Sequence, residues 1–160
     1  MEKIKLGSRV IVTDPCYGID TWCQGVLEDV KPGDYNCHVV EGVCGSWGNR
    51  VKEIAVIHCD SKFDISEIQI EQDFEVGVDS GNAGIFDYDF YESTCDNFSH
   101  WFDDKGSDFF YNPGGQGLLT SSGYGDGSYT CYTHIDKTTG QVDGIRVVFI
   151  DGTEEYLLED

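Results

Sequence analysis

The stretch that decides the fold is RVKEIAVIHC, from Arg50 to Cys59. Ile54 and Val56 lie two residues apart, and β-branched residues are frequent around them. Because the side chains of a β-strand alternate between its two faces, this spacing predicts a strand with an apolar face. The preceding segment YNCHVVEG alternates in the same way and is rich in residues that favour strands. The chain is therefore predicted to be built mainly from antiparallel strands.

Further strand-like segments lie on both sides of this stretch. SRVIVTD reads as a first strand that ends at the Asp14-Pro15 turn, and residues 8–59 together predict an antiparallel meander. FEVGVDSGNAGIFD predicts two short strands, and SYTCYTHID and GIRVVFID predict two more. Between these groups, residues 112–129 are rich in Gly and Ser, which predicts an ordered loop.

One principal helix is predicted near residues 89–104, where large apolar residues recur at spacings of about four from Phe90 to Phe102. We find no internal repeat and no composition shift that indicates a domain boundary. The predicted fold class is mainly β (α+β). It is a single antiparallel β-sheet or sandwich-like domain that covers residues 1–160.

The chain is strongly acidic. Its 160 residues include 30 Asp and Glu but only 10 Lys and Arg, which gives a formal net charge of −20. Both halves of the sequence are acidic, so neither is a basic module. Such a surface repels phosphate backbones and anionic lipids, which predicts no direct nucleic-acid or membrane binding. A protein partner with a basic surface fits this charge, and solubility alone is the alternative explanation.

The cysteines indicate a reducing compartment. There are seven of them, an odd number, and no C-x-x-C pair is present. The N-terminal MEKIKLGSRV lacks the apolar core of a secretory signal, and no apolar run approaches the about 20 residues of a membrane-spanning helix. The sequence therefore predicts a cytoplasmic protein with free, mostly buried thiols, and their spacing does not match a zinc site.

Three phrases occur together in this order: DPCY with TWC (Asp14–Cys23), VGVDSGNAGIFD (Val76–Asp87) and GYGDGSY (Gly123–Tyr129). In this combination the chain resembles an uncharacterised family of small proteins from bacteria and their phages. The resemblance covers about Val10 to Ile150, and the middle phrase is the most specific. It implies a compact β-rich domain and a link to bacteria or phages, but it implies no activity.

The segment from Asp14 to Cys23 is the first candidate site. Asp14, Cys16, Tyr17 and Trp22 give it the density of functional groups that is typical of an active site, a metal site or a structural corner. In the corner interpretation, Asp14 accepts hydrogen bonds from the amides of the turn while the aromatic side chains cover the end of a sheet.

The Asp79-Ser80-Gly81 phrase is the second candidate. Asp79 either forms an Asx-turn or lies in a pocket as an acid, base or cation ligand. Ser80 lacks the G-x-S-x-G pattern of a nucleophile elbow. Asp126, in the glycine-rich phrase near the C-terminal strands, either caps a turn or joins Asp14 and Asp79 in one pocket.

The segment DYDFYE contains Asp87, Asp89 and Glu92, and carboxylates two residues apart are typical of Ca²⁺ or Mg²⁺ ligands. The segment does not match an EF-hand loop, and carboxylates at a helix N-terminus explain the same pattern through the helix dipole. No sequence motif requires a cofactor. The four histidines are scattered, and those within strands are interpreted as packing or surface residues.

These patterns lead to three functional hypotheses. The first is a non-catalytic accessory or binding protein that docks on a basic protein surface. The second is a small metal-dependent hydrolase that uses a pocket formed by Asp14, Asp79 and Asp126. The third is a ligand-binding module with an aromatic pocket formed by Tyr17, Trp22 and Tyr124. A concave cluster of the three aspartates would favour the second or third hypothesis over the first.

Overall fold

The strand that carries Ile54 and Val56 lies inside the larger of two sheets. A computed structural model describes residues 2–94 and 98–150 of the chain. Within these residues, six strands, numbered along the chain, form an antiparallel sheet. Their spatial order is β1 (Lys3–Leu6), β4 (Gly33–Val43), β5 (Asn49–His58), β11 (Val142–Val148), β10 (Gly127–Ile135) and β6 (Ile70–Val78).

A second antiparallel sheet contains five strands in the described part of the chain. Their spatial order is β3 (Gly25–Leu27), β2 (Val10–Thr13), β7 (Asn82–Asp87), β9 (Gly117–Ser121) and β8 (Phe110–Tyr111). Short 3₁₀ turns occur at Gly45–Trp47, Ile65–Glu67 and Pro113–Gly115.

The two sheets pack face to face through a common apolar core. Val12 and Ile85 of the second sheet are fully buried in the same cluster as Ile54 and Val56 of the first. This arrangement confirms the prediction of a mainly β, sandwich-like fold, with two antiparallel sheets rather than one. Burial of apolar surface between the layers is the main source of stability in such an architecture.

The prediction of one meander over residues 8–59 is wrong, because this segment is divided between the sheets. The β2–β3 pair belongs to the second sheet, whereas β4 and β5 belong to the first. The burial of β2 gives the physical reason. Val10 and Val12 face the core between the sheets, while Ile11 belongs to the cluster on the other face. A strand that is covered on both faces needs a central position in its sheet.

The interpretation of residues 112–129 as a loop is also incomplete, because this segment contains the buried strand β9. Leu118 faces the core between the sheets, and Leu119 faces the helical side. Two adjacent buried leucines do not show the alternation of a half-exposed strand. The local sequence therefore gave no periodic signal for β9.

Two helical segments cover the outer face of the second sheet: α1 (Tyr88–Thr94) and α2 (Phe98–Lys105). Tyr91 and Trp101 pack there against Ile11, Phe86 and Leu119. The predicted helical region near residues 89–104 is thus confirmed on both sides of residues 95–97, which lie outside the described residues. None of the helices in the described ranges is long and apolar enough to cross a membrane.

Candidate functional site

The Asp14 carboxylate joins the two phrases that the sequence singled out. It is fully buried at the end of β2, where β2 leads into the Pro15 turn. Oδ1 accepts hydrogen bonds from the Cys16 amide at 2.8 Å and from Ser80 Oγ at 2.7 Å. Oδ2 accepts bonds from the amides of Asp79 at 2.7 Å and Ser80 at 2.8 Å. A carboxylate offers about four lone-pair positions, so these four donors occupy its acceptor capacity.

Residues 14–24, called the Trp22 loop below, are also braced by Gln24. Its side-chain amide donates to Thr13 Oγ1 at 2.9 Å and to the Gly18 carbonyl at 3.0 Å, and its oxygen accepts from the Thr21 amide at 2.9 Å. Tyr91 Oη donates to the Tyr17 carbonyl and ties the loop to α1. These bonds therefore hold the loop in a fixed conformation.

The thiols of this loop are poor nucleophiles. Burial, reinforced by the carboxylate of Asp14, raises the pKa of Cys16 from 9.0 to about 12. Burial also raises the pKa of Cys23, whose side chain is 2% exposed. Because the thiolate is the reactive form of cysteine, these environments favour structural roles for both residues. All six cysteines within the described ranges are free thiols, and Cys95 lies outside those ranges.

Asp79 differs from Asp14 because its side chain is exposed and accepts a hydrogen bond from Tyr17 Oη. Asp126 lies close in register, since Gly127 of β10 pairs with Val78 of β6. The Asp126 side chain is exposed and forms no hydrogen bond with another described residue. The structure thus brings Asp14, Asp79 and Ser80 into contact, whereas Asp126 lies in the turn that connects β9 of the second sheet to β10 of the first.

Asp87 and Asp89 have different structural partners at the start of α1. Asp87 Oδ1 accepts from the Gly7 amide at 2.8 Å, and Oδ2 accepts from the Phe90 amide at 3.1 Å, as expected of a helix-capping carboxylate. Asp89 forms an exposed ion pair with Arg9 at 3.1 Å. Within the described residues, no group of three or more metal-ligating side chains is placed to hold a metal ion. The helix-terminus interpretation therefore accounts for Asp87 and Asp89.

Trp22, the remaining residue of the first candidate site, is 91% exposed near the C-terminal end of its loop. The neighbouring Cys23 carbonyl accepts a hydrogen bond from the Gly77 amide of β6 at 2.9 Å. A Cβ atom at Gly77 would lie 2.8 Å from Cys23 Cβ, so this close approach requires a glycine. The Trp22 loop is thus packed against β6, a strand at the edge of the larger sheet.

Beside the loop, the outer face of β6 carries three exposed carboxylates from Glu71, Asp73 and Glu75. We call these three residues the acidic edge. They occupy alternate positions of one strand, so their side chains share a face. None of them forms an ion pair with another described residue.

A second cluster was missed by the sequence reasoning, which interpreted the histidines within strands as packing or surface residues. Asp143 is 3% exposed. Its Oδ1 lies 2.6 Å from His134 Nδ1, and its Oδ2 accepts a hydrogen bond from Ser61 Oγ at 2.7 Å. Because a carboxylate accepts, the imidazole donates through Nδ1 and leaves Nε2 available to other groups. Phe63 stacks on the imidazole with the ring centres 3.8 Å apart.

A β-bulge explains why the sequence pattern did not reveal this cluster. His134 pairs with Gly144 and Ile135 pairs with Val142, so Asp143 is an extra residue on β11. A bulge redirects a side chain out of the simple alternation, and bulges are frequent next to functional sites. The only available signal was the closeness in sequence of the two predicted strands, SYTCYTHID and GIRVVFID.

The buried residue His58, by contrast, fits the packing interpretation. It is 4% exposed, its Nε2 lies 3.0 Å from the Pro32 carbonyl, and its Nδ1 accepts from the Asp60 amide at 3.1 Å. Both ring nitrogens are therefore used within the fold.

Comparison with known proteins adds no relative to this picture. No protein-family model, curated protein or solved structure matches the chain.

Proposed function

We propose that this protein is a non-catalytic accessory protein of the bacterial cytoplasm, linked to phages, that docks on a basic surface of another protein. The docking surface consists of Trp22 and the acidic edge. The observation that carries this proposal is the 91% exposure of Trp22 on a loop braced by Asp14 and Gln24. Tryptophan is enriched among the residues that dominate interface energies, and a fixed loop lowers the entropy lost on binding.

The charge of the surrounding surface supports a basic partner. The exposed Asp20 belongs to the Trp22 loop, Asp79 accepts a hydrogen bond from Tyr17 of that loop, and the acidic edge ends two residues before Gly77, which contacts Cys23. The whole chain carries a formal charge of −20. Such a surface attracts a positively charged protein and speeds its association, whereas it repels nucleic acids. The acidic edge also discourages pairing of β6 with another strand, so the exposed carboxylates favour side-chain docking.

The alternative hydrolase or ligand pocket of Asp14, Asp79 and Asp126 has less support. The four donors to Asp14 leave its carboxylate no free acceptor position for a substrate or a cation. Ser80 Oγ donates to that carboxylate, and no described histidine is among its hydrogen-bond partners. The geometry therefore favours the structural interpretation of the Asp14 corner.

The test compares Trp22→Ser with Trp47→Ser, because Trp47 is a second tryptophan with 48% exposure at a different loop. Affinity capture from a bacterial lysate identifies the partner, and titration of the purified partner then gives its Kd for each variant. We expect Trp22→Ser to weaken binding about 30-fold, which corresponds to a hot-spot contribution of about 2 kcal/mol. Trp47→Ser should bind like the wild type.

A second pair of variants tests the charge component with the same purified partner. One triple variant, with Glu71→Gln, Asp73→Asn and Glu75→Gln, neutralises the acidic edge. The control neutralises three exposed carboxylates elsewhere on the chain, with Glu41→Gln, Asp103→Asn and Asp108→Asn. We expect the first variant to lower the association rate and its salt dependence more than the second. Equal effects of the two triple variants, or of the two tryptophan variants, would refute docking at this surface.

A further inference from the structure

The His134–Asp143 pair lines a pocket of about 410 Å³ on the larger sheet. The pocket lies between the segment that follows β5 and the turn that joins β10 to β11. Its volume falls within the range of about 300–1,000 Å³ that is usual for small-molecule sites. Its polar lining includes Lys31, Lys62, Lys137, Ser61, Thr138 and His134.

The charges of this pocket differ from those of the rest of the chain. It contains three of the 10 basic residues of a protein that has 30 acidic ones. Lys31 is paired with Asp136 at 3.0 Å, and Asp136 also accepts from the Thr138 amide at 2.8 Å. The carboxylate oxygens of Asp143 accept hydrogen bonds from His134 and Ser61. The ion pair with Lys31 therefore balances the charge of Asp136, whereas the hydrogen bonds to Asp143 satisfy its oxygens and leave its charge in the lining.

The charges of the pocket lining balance, in contrast to the excess of acidic residues over the whole chain. Lys62 and Lys137 are exposed and form no ion pair with another described residue. Asp60 is the remaining carboxylate of the lining, and its side chain forms no hydrogen bond with the described residues. The three lysines of the lining thus balance its three aspartates, so the pocket is formally neutral on a chain with a net charge of −20.

From this geometry we propose that the pocket binds the phosphate group of a small phosphorylated molecule. The Asp143 carboxylate fixes the imidazole so that Nε2 is available to the ligand. This nitrogen donates to a phosphate oxygen when the ring is protonated, and it accepts from a phosphate hydroxyl when the ring is neutral. Lys62 and Lys137 supply the charge-assisted hydrogen bonds, and a phosphate has enough oxygens to engage both lysines and the imidazole.

The expected ligand is a phosphate monoester rather than a polymer. The pocket is large enough for a sugar-sized group beside the phosphate, and Phe63 supplies an apolar wall next to the imidazole. The acidic surface outside the pocket repels the many phosphates of a nucleic acid backbone. A small phosphate monoester carries only one phosphate group, and dissolved salt screens its repulsion by the distant carboxylates.

Titration of the full chain with inorganic phosphate, ribose 5-phosphate and uncharged ribose tests the proposal. The readouts are the imidazole NMR resonances of His134 and the thermal unfolding midpoint. We expect both phosphorylated probes to move the His134 resonances and to raise the midpoint at concentrations of about 10 mM or below, whereas ribose does neither. Absence of any His134 shift with both phosphorylated probes would overturn the proposal.

Two double lysine variants provide the matched control. Lys62→Gln with Lys137→Gln removes the two exposed cations of the pocket, and Lys3→Gln with Lys5→Gln removes two exposed cations of β1. We expect the first variant to weaken phosphate binding at least tenfold and the second to leave it unchanged. Equal affinities of the two variants would contradict the site. Trp22→Ser should bind phosphate like the wild type, so failure of one proposal is distinguishable from failure of the other.

Discussion

Replacement of Asp14 by Asn tests the structural corner on which the Trp22 loop depends. The two side chains have nearly the same shape, but the amide nitrogen is a donor where the carboxylate oxygen accepts two bonds. If the nitrogen replaces Oδ1, Ser80 Oγ can rotate and accept, but the Cys16 amide faces another donor. If it replaces Oδ2, the amides of Asp79 and Ser80 both lose their acceptor. The first orientation is therefore the less costly one.

The expected cost follows from that orientation. A hydrogen bond to a charged group contributes about 1.5–3 kcal/mol, and an unsatisfied buried donor costs about 1–3 kcal/mol. Removal of the buried charge offsets part of this loss, so we expect Asp14→Asn to lower the free energy of unfolding by about 3 kcal/mol. For a domain of this size, that value corresponds to a decrease in Tm of about 6–12 °C.

The assay is urea and thermal unfolding followed by far-UV circular dichroism, with Asp126→Asn as the control. Asp126 is exposed, so its replacement should change the free energy of unfolding by no more than about 0.5 kcal/mol. Ser80→Ala removes one donor of the same network, and its effect should be less than additive with Asp14→Asn. A loss below about 1 kcal/mol for Asp14→Asn, or equal losses for the two Asn variants, would refute the reasoning.

Three further predictions concern packing, thiol reactivity and pH. A Cβ atom at Gly84 would lie 2.3 Å from the Leu118 carbonyl oxygen, so Gly84→Ala should destabilise the chain by about 3 kcal/mol in urea unfolding. Gly18→Ala is the control, because its Cβ atom would meet nothing within 4 Å, and its free energy of unfolding should lie within about 0.5 kcal/mol of the wild-type value. Similar losses of stability in the two variants would contradict the assigned β7–β9 contact. With its pKa raised to about 12, Cys16 should react with iodoacetamide at neutral pH about 50-fold more slowly in the native than in the unfolded chain, because its smaller thiolate fraction outweighs the greater nucleophilicity of that thiolate. Mass spectrometry of the labelled peptide measures the ratio of the two rates, and equal rates would disprove the assigned environment of Cys16. Burial lowers the pKa of Lys105 below its ordinary value of 10.5, so the folded state binds fewer protons than the unfolded state between the two pKa values. The free energy of unfolding should therefore rise with pH across that interval in the wild type relative to Lys105→Met, and parallel pH profiles of the two proteins would exclude this effect.

The two proposed surfaces place different demands on the fold. Trp22 depends on loop bracing by Asp14, whereas the phosphate pocket depends on the bulge that directs Asp143 towards His134. Because the two sites share none of these contacts, variants at each site can be interpreted separately.

The sequence predicted much of the architecture from local patterns. Alternation around Ile54 and Val56 predicted strands, and the recurrence of apolar residues from Phe90 to Phe102 predicted helical structure. The helical signal is periodic because one face of each helix packs on the second sheet. In β5 the alternation separates two clusters, since Ile54 and Val56 enter the core between the sheets while Ala55 and Ile57 enter a smaller cluster on the other face. The density of polar groups at Asp14 likewise indicated a corner, since a buried carboxylate needs nearby donors.

Long-range pairing was not readable in the same way. The sequence singled out both Asp14 and Ser80, but their contact spans 66 positions and forms only because β2 and β6 meet at one end of the sandwich. The Ser61–Asp143 hydrogen bond spans 82 positions and depends on a bulge that breaks the alternation. The buried strand β9 has no periodic signal because both of its faces are covered.

The sequence by itself thus determined the strand content, the negative charge and the free state of the described thiols. Only the tertiary structure decided which strands share a sheet, that Trp22 is exposed, and that His134 faces a pocket beside Lys62 and Lys137. The physical reason is that periodicity and composition act within a few residues of the chain. The sites, by contrast, are formed by packing between segments whose proximity depends on how all the strands are arranged.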